Sequence, residues 1–344
     1  MPPPRIERGL QVPETCVISF SPRGRSAKVL PLYQKAAGRS TRVRNNTRPI
    51  REEARLLAPA KINLYLRILG RRTDGYHLLD SLMVPISLFD EIVVRARHRS
   101  SARDAGVRVT SDSETAPGGP GNLAHRAAAL FLTHARRTAA VDIYISKHIP
   151  VGGGLGGGSS DAAAVLLALN RLLGRPFDTA ELARLGSQLG ADVPFFVHGS
   201  PAHVRGIGEQ VSPVTLPALP PLVICWDHYP LATTLVYARV VLSLTSSAVV
   251  SNITSFVSGG KPTPGLLMND LEGPAAQIHP EVLALKSRLI EEGAIGALMT
   301  GSGAAVFGMW PDAESASGAA MRLRQSGLWA QSVEALAASP AATE

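Results

Sequence analysis

The chain has 344 residues, 45% of them apolar, and a mean hydropathy of +0.11, the composition of a globular protein with room for two ordinary cores. Its net charge of +8 invites a nucleic-acid partner, but residues 1–54 hold 11 Lys and Arg against 4 Asp and Glu, leaving 24 against 23 for residues 55–344. A body so nearly neutral lacks the persistent cationic surface that binding to a phosphate backbone requires, and its best apolar run, Ala162–Leu169, is far too short to cross a bilayer.

Residues 1–54 are basic and rich in Pro, Ser, Thr and Asn, with no lasting apolar period, so they are expected to be a disordered extension. Glu7, Glu14, Glu52 and Glu53 argue against a plastid-targeting peptide, which is poor in acids. Order is expected from Arg55. In "AKINLYLRIL" the residues Ile62, Leu64, Leu66 and Ile68 alternate with Lys61, Asn63, Tyr65 and Arg67, which predicts a half-buried strand with Lys61 and Asn63 on its polar face. Asp74-Gly75 marks a turn, and "LLDSLMVPISLFDEIVVRA" and Val107–Thr110 supply further strand. Asn122 is placed to cap the helix "LAHRAAALFLTHA". Val141, Ile143 and Ile145 alternate along the next strand.

A helix is predicted over Asp161–Leu173, and Asp178 with Glu181 forms a capping box that opens another. "DVPFFVHG" and "AHVRGIGE" read as short strands. Beyond residue 210 come "LPPLVICW", a polar stretch over 243–265, the segment containing "MNDLE", the run "GALMTGSGAAVFGMW" and a last helix near Ala313–Gln325. Strands and helices mix without a regular βαβ beat, which predicts α+β architecture. The expected divisions are 1–54, 55–210 and 211–344. The two cysteines, Cys16 and Cys225, make no CxxC and no disulfide framework, which suits a reducing cytoplasm.

"PVGGGLGGGSSDAAA" carries the chemistry. Gly152–Gly158 is glycine at every position but Leu155, between a strand and a helix. The first N–H groups of a helix lack intrahelical partners and carry partial positive charge, so glycines ahead of them make a cradle for a phosphate chain. No Lys closes the loop as a Walker A motif requires, and Gly152, Gly154 and Gly157 match a dinucleotide fingerprint only within a poly-glycine run. Ser159 and Ser160 are candidates for a phosphate oxygen, for Mg²⁺, or for a plain helix cap.

This loop resembles the second signature of the galactokinase, homoserine kinase, mevalonate kinase and phosphomevalonate kinase superfamily. With "APAKINLYLRILGRRTDGYHLLDSLM" and "LGADVPFF" it is similar to those members whose acceptor is a CDP-linked methylerythritol of the non-mevalonate isoprenoid pathway. The resemblance spans about Ala58–Gly308. It implies a two-lobed small-molecule kinase, with an N-terminal lobe like ribosomal protein S5 and a ferredoxin-like C-terminal lobe. It also implies Mg²⁺ with ATP, small-molecule partners alone, a bacterial cytoplasmic setting, and a monomer or homodimer.

On the matching positions the resemblance makes Asp192 the carboxylate that takes a proton from, or orients, the acceptor hydroxyl, and Lys61 its cationic partner. It assigns ATP to Asn122, Lys147, Pro150, Gly152, Gly153, Gly154, Leu155, Gly156, Gly157, Gly158, Ser159 and Ser160, with both serines as metal candidates. It assigns the acceptor to Asn63, Tyr76, His77, Thr233 and Tyr237. "HYPLATT" departs from the Gly-containing, Ser/Thr-rich turn common there, and Gly121 replaces the polar residue common before "NL". "TGSGAAVFG" resembles the third signature, and "MNDLE" is read as structural. The competing expectations are a homoserine or mevalonate kinase and a nucleotide sensor without catalysis.

Overall fold

The computed structural model describes residues 52–98, 106–114, 116–242 and 267–342; the expectations for residues 1–51 and 243–265 lie outside them. Strand β1 (Glu52–Arg71) opens three residues before Arg55 and pairs with antiparallel β2 (His77–His98) across the Asp74-Gly75 turn. β3 (Gly106–Ser111) lies parallel to β4 (Ala139–Ser146), with α1 (Leu123–His134) as the crossover between them. A parallel pair needs such a connection. Asn122 caps α1 as expected, its Oδ1 accepting from Ala124 N at 2.9 Å.

The glycine run leads into α2 (Gly157–Leu172), followed by α3 (Thr179–Ser187), whose capping box at Asp178 and Glu181 is complete. Next come α4 (Val193–His198), β5 (Ala202–Gly206) and β6 (Gln210–Pro213). The chain continues through β7 (Leu222–Trp226), α5 (Thr233–Tyr237), β8 (Met268–Asn269), α6 (Glu272–Ala276) and α7 (Glu281–Glu291). It ends with β9 (Gly296–Met299), β10 (Val306–Met309), α8 (Ala313–Gln325) and β11 (Trp329–Val333).

Among the described residues the strands make a seven-stranded sheet, ordered β3-β4-β2-β1-β8 with β5 and β6 branching from β2, and a four-stranded antiparallel sheet, β11-β7-β10-β9. Three apolar layers follow from this. Ala60, Ile62, Leu64, Leu82, Val84 and Ile86 of the first sheet pack against Leu222, Ile224, Leu298, Phe307 and Val333 of the second. The other face of the first sheet packs on α1 and α2, where Ala162, Ala163, Val165, Leu166 and Leu169 are buried, and the far face of the second sheet packs on α7 and α8.

β1 is therefore covered on both sides, and the expected half-buried strand is corrected: Lys61, Asn63, Tyr65 and Arg67 are all buried. Nor do its four alternating residues share one face. Ile62 and Leu64 belong to the layer between the sheets, whereas Ala58, Leu66 and Ile68 belong to the helix side. Pairing with β2 is irregular between Pro59 and Ala60 and again between Asn63 and Tyr65. The first leaves Ser87 and Leu88 of β2 outside the pairing and the second adds Leu64 to β1, and such irregularities bend the strand and change the face it presents. The short stretch between them is what turns Lys61 and Asn63 away from the inter-sheet layer.

Two further expectations are corrected. "VPFFVH" is the helix α4, because a run of five buried apolar residues has no period that separates strand from helix, and Pro194 is well placed in a first helical turn. Asp192 thus stands at the entrance of a helix rather than before a strand. Helix α2 begins at Gly157, inside the glycine run, with Gly156 as its cap at φ 75°, so Ser159 and Ser160 lie in its first turn and neither is the cap.

Candidate active site

The loop from Pro150 to Gly156 is held on three sides by backbone hydrogen bonds. Leu155 O accepts from Lys61 N at 3.0 Å, Gly153 O from Ala305 N at 3.1 Å, and Gly152 O from Leu231 N at 3.2 Å. The approach is too close for side chains. A Cβ on Gly154, at φ 75°, would overlap the Thr300 carbonyl oxygen and lie 2.9 Å from Gly303 N; one on Gly156 would sit 2.9 Å from the Phe196 ring and 3.2 Å from Lys61 Cγ. Part of the glycine requirement thus comes from the protein itself, since the "TGSG" turn packs against the loop from behind.

In front of the loop lies a cavity of about 850 Å³. Every residue expected at the site lines it except Ser160. Ser160 follows Ser159 by about 100° around the helix; it is only 1% exposed, and its hydroxyl has no hydrogen-bond partner among the described residues. At one end of the cavity Asn122 and Lys147 meet the start of α2. Lys147 is not free: Nζ donates to Asp90 at 2.5 Å and to Asp161 at 2.9 Å. Asp90 also accepts from His148 N and Ile149 N, at 2.6 and 2.9 Å, which fixes the approach to the loop. Burial raises the Asp161 pKa to about 7 against the opposing charge of Lys147, and its Oδ1 is buried without a partner among the described residues.

At the centre, Lys61 Nζ donates to Asn63 Oδ1 at 2.6 Å. Burial lowers the Lys61 pKa below the usual lysine value, and the charge of Asp192 opposes that shift. Asn63 is also buried and fully engaged at Oδ1, which accepts from Gly301 N at 3.0 Å as well, while Nδ2 donates to Ser81 Oγ at 2.8 Å. Asn63 therefore stands behind Lys61 as its support. At the far end Tyr76 is 61% exposed, and the His77 and Tyr237 rings lie 5.3 Å apart at 43°. Burial, then the charge of Arg71, lowers the His77 pKa and keeps the ring neutral near pH 7. Burial, then the charge of Asp192, raises that of Tyr237. Thr233 Oγ1 and Ser302 Oγ are 2.8 Å apart.

Sequence reasoning missed Asp90, Asp161 and Arg71 as parts of the cavity or its supports, whereas the glycine turn from Thr300 packs by the phosphate loop as the third signature implied. Asp161 had a signal, as an acid in the first turns of a helix just after two serines. Asp90 had none, because only the β2–β4 pairing brings it to Lys147.

This layout matches known proteins. Residues 122–200 match the GHMP kinases N terminal domain and residues 255–327 the GHMP kinases C terminal domain. A 4-diphosphocytidyl-2-C-methyl-D-erythritol kinase of Geobacter metallireducens is 44% identical over 276 residues, covering 80% of this chain and 95% of the relative. The chain belongs to the 4-diphosphocytidyl-2-C-methyl-D-erythritol kinase family. A second member, from Syntrophotalea carbinolica, is 42% identical over 79% of this chain and 95% of its own length. The crystal structure of a 4-(cytidine 5'-diphospho)-2C-methyl-D-erythritol kinase, 39% identical, aligns with a TM-score of 0.70 over 82% of this chain and 99% of that one. A homoserine kinase from Cytophaga hutchinsonii, at 19% identity and a TM-score of 0.64, shares the fold. The protein is thus a phosphotransferase with the two-lobed α+β kinase fold. No helix among its described residues is long and apolar enough to cross a membrane.

Proposed function

We propose that this enzyme transfers the γ-phosphoryl group of ATP to the C2 hydroxyl of 4-(CDP)-2-C-methyl-D-erythritol. One observation carries the proposal. A single cavity joins the glycine loop and start of α2, the Lys61–Asp192 pair, and the Tyr76–His77–Tyr237 aromatic end. The first gives a phosphate chain unpaired amides and a positive helix end. The last gives a pyrimidine ring a stacking surface, and a neutral His77 offers one donor and one acceptor to its edge.

Between them the acceptor O2 attacks the γ-phosphorus, the bond to the β–γ bridging oxygen breaks, ADP leaves, and the hydroxyl proton passes to the Asp192 carboxylate. Lys61, held by Asn63, faces the charge that spreads over the transferring oxygens. The Ser159 hydroxyl and the unpartnered Asp161 Oδ1 are the hard oxygen donors that Mg²⁺ takes, so the residues present fit that ion, and they would hold it at the start of α2. Bound there it would neutralise phosphate charge. Ser160 is outside this set. A reducing cytoplasm is the proposed setting, and Cys225 is buried with its thiol pushed up to about 12, which leaves it inert.

ADP release with Mg·ATP and a panel of CDP-methylerythritol, mevalonate, homoserine and galactose tests the proposal. Turnover is expected on the CDP-linked acceptor alone, falling about 10²- to 10⁴-fold in Asp192→Asn with the KM for ATP little changed. Turnover on another acceptor of the panel, or full activity in the variant, overturns it.

A further inference from the structure

The segment "MNDLE" lies outside the cavity lining, yet it is wired to the site. Asn269, at the end of β8, is 7% exposed. Its Nδ2 donates to two main-chain carbonyls, Met299 O and Gly301 O, each at 2.8 Å, and its Oδ1 accepts from Leu271 N at 3.0 Å. One side chain thus grips both ends of the turn that leaves β9. Three residues on, Glu272 accepts from Met299 N at 3.1 Å.

That turn in turn grips Asn63. Gly301 N donates to Asn63 Oδ1 at 3.0 Å, and Thr300 Oγ1 accepts from Asn63 N at 3.1 Å. Asn63 Oδ1 is the same oxygen that takes the Lys61 ammonium at 2.6 Å. The turn also bounds Lys61 directly, since a Cβ on Gly301 would lie 2.8 Å from Nζ. The chain of contacts is unbroken and buried from Asn269 to Lys61.

Only a carboxamide satisfies the Asn269 position. It needs two N–H donors aimed at carbonyls and one oxygen aimed at an N–H. Aspartate keeps the shape but sets a carboxylate oxygen against the two carbonyls, and alanine leaves both buried and unpaired.

We propose that Asn269 is a positioning residue for phosphoryl transfer, fixing the Lys61 ammonium through the 299–301 turn and Asn63. The inference rests on the functional reading above, in which Lys61 faces the transferring phosphoryl group. A displacement near 1 Å from a group outside the chemistry costs up to about 100-fold, so Asn269→Asp should lower kcat about 10- to 100-fold. The KM values for ATP and acceptor should stay within about threefold, because neither ligand touches Asn269.

A double-mutant cycle with Asn63→Ala separates positioning from general loosening. If Asn269 acts through Asn63, then Asn269→Asp should cost less than about threefold further in kcat once Asn63 is gone, while lowering the unfolding midpoint equally in both backgrounds. Equal losses of kcat in both backgrounds, or an unchanged kcat in the single variant, overturn the inference. Asn269→Ser, which retains one donor, takes the place of the aspartate variant in the same cycle if that variant does not fold. Wild type runs alongside. Its failure to release ADP with the CDP-linked acceptor counts against the functional reading, and the cycle is then read on whichever acceptor of the panel is turned over.

Discussion

Replacing Gly154 with alanine places a methyl group between two glycine turns that already touch. The residue sits at φ 75°, where an L side chain costs about 1–2 kcal/mol. The methyl would also overlap the Thr300 carbonyl oxygen and press on Gly303 N at 2.9 Å, both main-chain atoms that cannot swing away. Overpacking of that kind costs about 1–3 kcal/mol, giving a total of about 2–5 kcal/mol. Whatever part is relieved by opening the loop is lost instead from the ATP site, so the two must be measured together. Urea unfolding should report a loss of stability and ADP release a fall in kcat/KM for ATP, together accounting for a penalty equivalent to at least about 30-fold. Gly158→Ala is the internal comparison. Gly158 stands in the first turn of α2, and the nearest atom to an added Cβ is Leu123 Cδ1 at 3.8 Å, so its stability should stay within about 0.5 kcal/mol of wild type. A Gly154→Ala enzyme within about 0.5 kcal/mol of wild type and equally active would refute the close-approach reasoning.

Lys61 carries a pH signature. Its folded-state pKa lies below the usual lysine value of 10.5, so between the two values the unfolded chain binds the extra proton and stability rises with pH. The difference in unfolding free energy, wild type minus Lys61→Met, should grow as pH climbs toward 10.5, and kcat should fall on the alkaline side before the usual lysine range; a difference flat with pH counts against it. Tyr76→Ala should leave stability within about 0.5 kcal/mol, because the ring is 61% exposed, and raise the acceptor KM about 5- to 150-fold through lost stacking. An unchanged KM, measured at saturating ATP, would remove Tyr76 from the acceptor end. Deleting residues 1–51, which precede β1, should leave kcat and both KM values within about twofold, and a tenfold loss would give that segment a part in the site.

The glycine run, the Asn122 cap, the Asp178–Glu181 capping box and the β4 alternation were legible because each is local. A cap or a turn is satisfied within three or four residues, so its chemistry is written next to it. The apolar period of β1 was legible as strand but misleading as to face, since a bulge falls inside it between Asn63 and Tyr65 and both sides of the strand are covered. α4 was misread as strand, because uniform burial erases the period that distinguishes the two.

The sequence by itself determined a phosphate cradle ahead of a helix, and the resemblance of its motifs added the candidates around it: a lysine on a strand, an aspartate ahead of an apolar run, and an aromatic pair after a turn. What it could not say is which groups stand behind them. Asp90 reaches Lys147 across 57 positions, and Gly301 reaches Asn63 across 238. The β2–β4 pairing inside the first sheet sets the one distance, and the packing of the second sheet's β9 turn on β1 sets the other. A local motif has to expose the reacting groups, whereas their supports have only to arrive in space, and any remote segment that the fold delivers can supply them.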